Sequence, residues 1–170
     1  ASPEDFVGPP LPPESEQAGH MGPMPAPDYV APKEGYVLLL GPGLARSIAY
    51  IGVLRGLEEK KIDIRAIVGV EMGAIIAGIW ASSNTNVLEW QMHKLKRATI
   101  LDPPILSLGG QPAEGKKLYY FLEKALKAKE LQQFQVPIFV ASAVESSDEL
   151  LLESAGSSVD IIRGAMGIPG

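Results

Sequence analysis

The residue best placed to do chemistry is Glu71. It stands in Gly69-Val70-Glu71-Met72-Gly73, between the apolar runs Ala66-Ile67-Val68 and Ala74-Ile75-Ile76-Ala77-Gly78-Ile79-Trp80-Ala81. The first run reads as a buried strand and the second as a buried helix. Gly69 and Gly73 flank a turn too sharp for side chains at those two positions. A glycine two residues on either side of a central residue, between strand and helix, is the layout of a nucleophile elbow, which presents a serine for acyl transfer. Here the centre is a glutamate. The architecture of a hydrolase site is present and its nucleophile is not.

A carboxylate at that point has few chemical options. Covalent carboxylate catalysis works at glycosyl, phosphoryl and alkyl centres. Attack on an ester would give an anhydride, which lies uphill of the ester. As a general base for water, Glu71 would need a competent oxyanion hole, and losing one donor of such a hole costs about 100- to 1000-fold. Two quieter roles remain. Glu71 sits at the start of the elbow helix, where the dipole favours a negative charge. More specifically, its carboxylate can fill the anion site that a reacting carbonyl would use.

Other chemistries are sparsely provided for. There is no cysteine, which excludes disulfides and thiolate metal sites. His20 and His93 are too far apart in sequence for a zinc motif, so neither metal nor cofactor is expected. Residues 1–34 carry Glu4, Asp5, Glu14, Glu16, Asp28 and Glu34 against Lys33 alone, which accounts for the whole net charge of −5. The remainder is balanced, and no basic face offers itself to nucleic acid. Lys94, Lys96 and Arg97, like Lys124, Lys127 and Lys129, read as solvated helix faces rather than a membrane patch. Arg46 suits a phosphate or lipid head group, but a local carboxylate or carbonyl is the commoner partner. Trp80 and Trp90 suit a lipid pocket, with core or partly buried packing the commoner fate.

The elements that must position Glu71 can be read in order. Residues 1–34 hold nine prolines and only scattered apolar side chains. Such a stretch cannot bury enough to offset its ordering entropy, and reads as an extended acidic linker or tether. Tyr36–Leu40, between Gly35 and Gly41, reads as a fully buried strand. Gly41-Pro42-Gly43 turns the chain into a helix over 46–60, with a stripe of Ile48, Ile51, Val53, Leu54 and Leu57. Ala66–Val70 is the second strand, so a βαβ unit with parallel pairing is expected. Beyond the elbow helix, Ser82–Asn86 is a turn with cap residues, and 87–98 is an amphipathic helix with Trp90 and His93 near its edge. Residues 102–112 form a long loop. Lys116–Lys129 is helical, with Leu118, Phe121, Leu122, Ala125 and Leu126 at helical spacing. Gln135–Val144 is the third strand, with Pro137 tolerable near its start. Leu150–Glu153 is a short strand and Val159–Met166 a short helix.

Several stretches together resemble the N-terminal part of a patatin-like phospholipase domain. They are Gly41-Pro42-Gly43-Leu44-Ala45-Arg46-Ser47, Ile51-Gly52-Val53-Leu54, Ala66 to Ala74, Val136 to Ala143 and Ile162 to Gly170. The order and spacing of these pieces over residues 36–170 make the resemblance specific. It implies a three-layer α/β/α fold with a largely parallel sheet, and hydrolysis of lipid acyl esters by a Ser–Asp dyad with a glycine-rich oxyanion loop. The departures fall on the chemistry. The family's Gly-Gly-Gly aligns with Pro42-Gly43-Leu44. Pro42 has no N–H to donate, and Leu44 is expected to deform the loop with a side chain where backbone approaches substrate. The loop's last glycine is Ser47, while Arg46 is retained. The nucleophile is Glu71, and the segment of the dyad aspartate is not among these residues.

The resulting expectation is a catalytically inactive, patatin-like binding or scaffold module over residues 35–170, with lipid as a potential ligand. The alternative is a lipid acyl hydrolase whose serine is substituted and whose aspartate lies outside this chain. The strands read as buried on both faces, yet few elements are available to cover them. Completion by a second copy, a separate protein or further chain is therefore expected. A start at Ala1, the absence of cysteine and the Pro-rich tether point to an exported, periplasmic or membrane-tethered protein, with a cytoplasmic one as the alternative.

Overall fold

The computed structural model describes residues 35–96, 115–144 and 149–166. The linker expected over 1–34 and the loop expected over 102–112 lie outside them. Four strands form one sheet in the order β1 (Tyr36–Leu40), β2 (Ile64–Val70), β3 (Ile138–Val144) and β4 (Glu149–Glu153). The pairs β1–β2 and β2–β3 are parallel, as the βαβ reading requires, and β3–β4 is antiparallel.

Among the described residues, five α-helices accompany the sheet: α1 (Tyr50–Glu59), α2 (Met72–Ser82), α3 (Thr85–Lys94), α4 (Lys116–Ala125) and α5 (Ser158–Ala165). The elbow helix α2 is apolar all round, and every residue from Met72 to Ser82 is buried, which makes it the centre of the core. The stripe on α4 buries Leu118, Phe121, Leu122 and Ala125 as its spacing predicts. Asn84 caps α3, its side-chain oxygen accepting from the Val87 N–H at 3.0 Å, and Ser157 caps α5 by accepting from Asp160 N. Trp80 ties three helices together: its indole N–H donates to Glu58 Oε1 on α1 at 2.8 Å and to Thr85 Oγ1 on α3 at 3.1 Å.

Three expectations need correction. The helix predicted over 46–60 begins as a 3-10 segment, Leu44–Ala49, and α1 is shorter; Ile48 and Val53 lie exposed while Leu54 is fully buried. Trp90 is exposed, 56% of its surface facing solvent, with the Lys94 ammonium over its ring. Strand β1 is not buried on both faces: Val37 and Leu39 are 62% and 65% exposed.

The third correction has a topological cause. Steps from β1 to β2 to β3 run in one direction across the sheet. Right-handed crossovers therefore put both connections on the same face. That face carries Leu38, Leu40, Ile67, Gly69, Ile138 and Val140 in register. Leu40, Ile67, Ile138 and Val140 are essentially inaccessible there. The alternate residues point the other way; of these Val37 and Leu39 are exposed, while Ala66 and Ala141 are buried.

Candidate functional site

Parallel register sets Leu40 beside Gly69. The segment leaving β1 and the elbow leaving β2 therefore emerge side by side at the carboxyl ends of the strands, where open α/β sheets build their sites. The elbow depends on its glycines. A Cβ on Gly69 would stand 2.8 Å from Ala74 N and 2.9 Å from Gly73 O. One on Gly73 would stand 2.8 Å from the Gly41 carbonyl oxygen and closer still to that of Leu40.

Glu71 has φ 55° and ψ −125°. Few non-glycine residues adopt such a backbone, and it costs on the order of 1–3 kcal/mol. This is the geometry that pushes an elbow's central side chain out between strand and helix. The carboxylate does not cap α2, since it makes no side-chain bond to the first turn of the helix. It turns instead to the other segment. Oε2 accepts the Gly43 N–H at 2.7 Å and the Leu44 N–H at 3.3 Å.

Leu44 is itself left-handed, with φ 48°, a conformation suited to glycine that a leucine holds only under strain. Its side chain projects into solvent, 56% exposed. The expected deformation of the loop is thus met only in part. Pro42 supplies no donor, but Gly43 and Leu44 aim two N–H groups at one carboxylate oxygen, as successive amides in a nest do. In the sequence, only the alignment of Leu44 with a family glycine hinted at this glycine-like backbone.

The surroundings are modest. The Ser47 hydroxyl is buried without a hydrogen-bond partner and lies beside Gly43, where a Cβ at 43 would come within 2.9 Å of it. The Arg46 side chain is exposed and forms no ion pair among the described residues, so the local carboxylate partner expected for it is not seen. His93 is exposed on α3. Among the described residues no cluster of His, Asp or Glu could hold a metal ion, and no helix is long and apolar enough to cross a membrane.

The patatin-like phospholipase family model matches residues 38–170. The chain belongs to the patatin-like phospholipase family. Among its relatives is an uncharacterized NTE family protein of Mycobacterium tuberculosis, 29% identical over 136 residues, which cover 78% of this chain and 37% of the relative. The lysophospholipase NTE1 of Mycosarcoma maydis is 27% identical over 142 residues, 78% of this chain and 7% of its own length. The neuropathy target esterase sws of Drosophila persimilis is 24% identical over 142 residues, 78% of this chain and 10% of its own. The patatin-like chain thus spans little more than a third of the mycobacterial relative and a tenth or less of the other two.

Two strained residues, Glu71 and Leu44, are joined by one carboxylate in this patatin-like chain, so removing the charge should be felt in stability. Glu71→Gln keeps the size and an acceptor but loses the charge-assisted character of both bonds. It is expected to lower stability by on the order of 1 kcal/mol, read as a shift in the urea midpoint at unchanged slope. A variant as stable as the parent would mean that the contact contributes nothing.

Proposed function

We propose that residues 35–170 act as a non-catalytic patatin-like module, a binding or scaffold domain in which Glu71 closes its own oxyanion site. The observation that carries this reading is the 2.7 Å bond from Gly43 N to Glu71 Oε2. An ester carbonyl reacting at an elbow needs those N–H groups as its charge develops. A resident carboxylate offers them a stronger acceptor and repels an incoming oxyanion. In this reading Glu71 both stands in the nucleophile's place and occupies the two donors that the loop retains beside Pro42.

The rival reading, a lipid acyl hydrolase, draws on the names of the relatives, a lysophospholipase and an esterase. It also draws on the elbow and the two converging N–H groups. It requires Glu71 to withdraw and a nucleophile to come from elsewhere. A third reading, a cleft that holds lipid without turning it over, differs from a pure scaffold by acyl chains that co-purify and appear in mass spectra.

The test is an assay with short-chain nitrophenyl esters and lysophosphatidylcholine vesicles, alongside a serine-directed phosphonate probe. No turnover above a denatured control and no phosphonate adduct are expected. Turnover that disappears in Glu71→Gln would establish a working carboxylate and overturn the proposal. Glu71→Ser is also expected to stay silent, because Pro42 leaves the loop without a third donor and Leu44 still brings a side chain to it. Robust activity from that single change would support the hydrolase reading.

A further inference from the structure

Four residues of α4 enter the core: Leu118, Phe121, Leu122 and Ala125. The other six stay at the surface. They are Lys116, Lys117, Tyr119, Tyr120, Glu123 and Lys124. Lys116, Tyr120 and Lys124 recur every fourth residue, so they stand in one row along the helix, about 6 Å from one to the next. All three are exposed, Tyr120 to 59% of its surface. Tyr119 meets the Tyr120 ring edge-on, with centroids 5.8 Å apart, and Arg163 of α5 lies over Tyr119 at 5.6 Å. Two carboxylates share this surface. Glu123 is exposed on α4, and Asp160 is paired with Arg163 at 3.6 Å. Lys127 and Lys129 extend the positive charge past the end of the helix. Residues 116–129 thus carry five lysines against one acidic residue.

An exposed tyrosine between lysines suits a ligand that is both anionic and apolar. The chain contains one. Residues 1–34 hold six carboxylates and nine prolines, with Lys33 as their single cation. Both features coincide in Pro9-Pro10-Leu11-Pro12-Pro13-Glu14-Ser15-Glu16, which has no cation. Proline-rich stretches lie readily on aromatic rings, because their backbone has little conformational freedom left to lose. Glu14 and Glu16 follow the prolines at once, so a segment seated on Tyr120 carries its carboxylates to the neighbouring lysines.

Reach and affinity favour the chain's own segment over a separate molecule. Eighteen residues, 17–34, separate Glu16 from the first described residue, Gly35. Extended, they span about 60 Å, against a radius of gyration of about 14 Å for a compact domain of this size. Pairs of exposed charges contribute little free energy each, and a few of them do not hold two separate proteins together. Covalent attachment raises the local concentration of the segment to the order of 1 mM, at which weak contacts become populated.

We infer that residues 9–16 dock on the row of Lys116, Tyr120 and Lys124 in the same chain, prolines on the tyrosine ring and carboxylates on the lysines. The N-terminal segment is then a clasp held by charge, and salt or an anionic competitor for the same row opens it. Neither Glu71 nor the loop beside it takes part, so the clasp is independent of the proposed function.

The test uses the whole 170-residue chain, which has no cysteine of its own. A nitroxide attached at Ser15→Cys broadens the NMR signals of amides near it. At about 0.01 M salt, where charges act over about 30 Å, the amides of α4 are expected to lose more than about half of their intensity; at about 1 M, where the range is about 3 Å, they are expected to recover it. Amides of α1 are the control and should lose none. Lys116→Gln combined with Lys124→Gln is expected to abolish the broadening. Tyr120→Ala is expected to reduce it severalfold, although every charge is kept. No broadening of α4, or equal broadening of α1 and α4, would overturn the inference. So would broadening that Tyr120→Ala leaves unchanged, which would mean diffuse attraction between charges. Broadening of isotope-labelled chains by nitroxide carried only on other, unlabelled chains would identify a second copy as the partner, and would overturn it too.

Discussion

Gly73→Ala is expected to leave little folded protein. A Cβ at this position meets backbone rather than a movable side chain: it would lie 2.8 Å from Gly41 O and from Leu40 C, and nearer still to Leu40 O. Relief requires the start of α2 to back away from the end of β1. That movement would unseat a helix whose every residue is buried. Overpacking in a core costs about 1–3 kcal/mol when side chains can adjust, and here the opposing atoms are main chain. A loss of roughly 3–5 kcal/mol or more is expected, a large part of the stability of an ordinary domain. Urea denaturation followed by circular dichroism measures it. Gly52→Ala is the control: it lies inside α1 with nothing within 4 Å of a new Cβ, and should gain about 0.5–1 kcal/mol from helix propensity. If Gly73→Ala melts like its parent, the close crossing of elbow and loop is wrong, and with it the contact between Gly43 and Glu71. A severe loss would mean that the elbow is kept for packing, whatever its central residue does.

The second large effect is expected at Ile162→Ala, with a loss of about 2–5 kcal/mol. Ile162 is fully buried on α5, and its Cδ1 sits within 2.5 Å of where a Cβ on Gly78 would be. The missing side chain at 78 is thus the socket into which α5 plugs on α2. Truncation empties that socket on a helix whose every residue is buried. Because α5 also covers β3, near-neighbour cooperativity should carry the loss into the melt of the whole domain. The measurement is the urea midpoint together with amide exchange on β3. A change below about 1 kcal/mol would show that α5 is a loosely attached appendage. Exchange that speeds up in α5 alone would show the same.

Much of this was legible along the chain. The elbow announces itself because two glycines, an apolar strand and an apolar helix are contiguous, and local sterics allow few backbone paths through Gly-x-x-x-Gly. The helix predicted over 116–129 was legible from its stripe, although it ends at Ala125, four residues earlier than predicted. The parallel pairing followed from a strand, a helix and a strand in succession, since a hairpin has no room for the helix. What remained hidden depends on residues far apart. Gly43 and Glu71 are 28 positions apart and meet only because the register puts Leu40 beside Gly69. Leu44 takes a glycine-like backbone that no propensity predicts. The choice of Gly43 and Leu44 over the first turn of α2 as partners for the carboxylate is made by the φ and ψ of Glu71, which aim the side chain across the sheet ends. The burial of β1 was misread for a related reason. An apolar run states that a strand can be covered on both faces, while the handedness of its crossovers decides which face is. The sequence by itself determined the approximate place of most elements, the elbow and the glutamate at its centre, because these rest on local sterics and on residue type. Only the tertiary structure decided where the Glu71 carboxylate goes and that Val37 and Leu39 of β1 stay exposed, because both depend on register and crossover hand, which no single segment encodes.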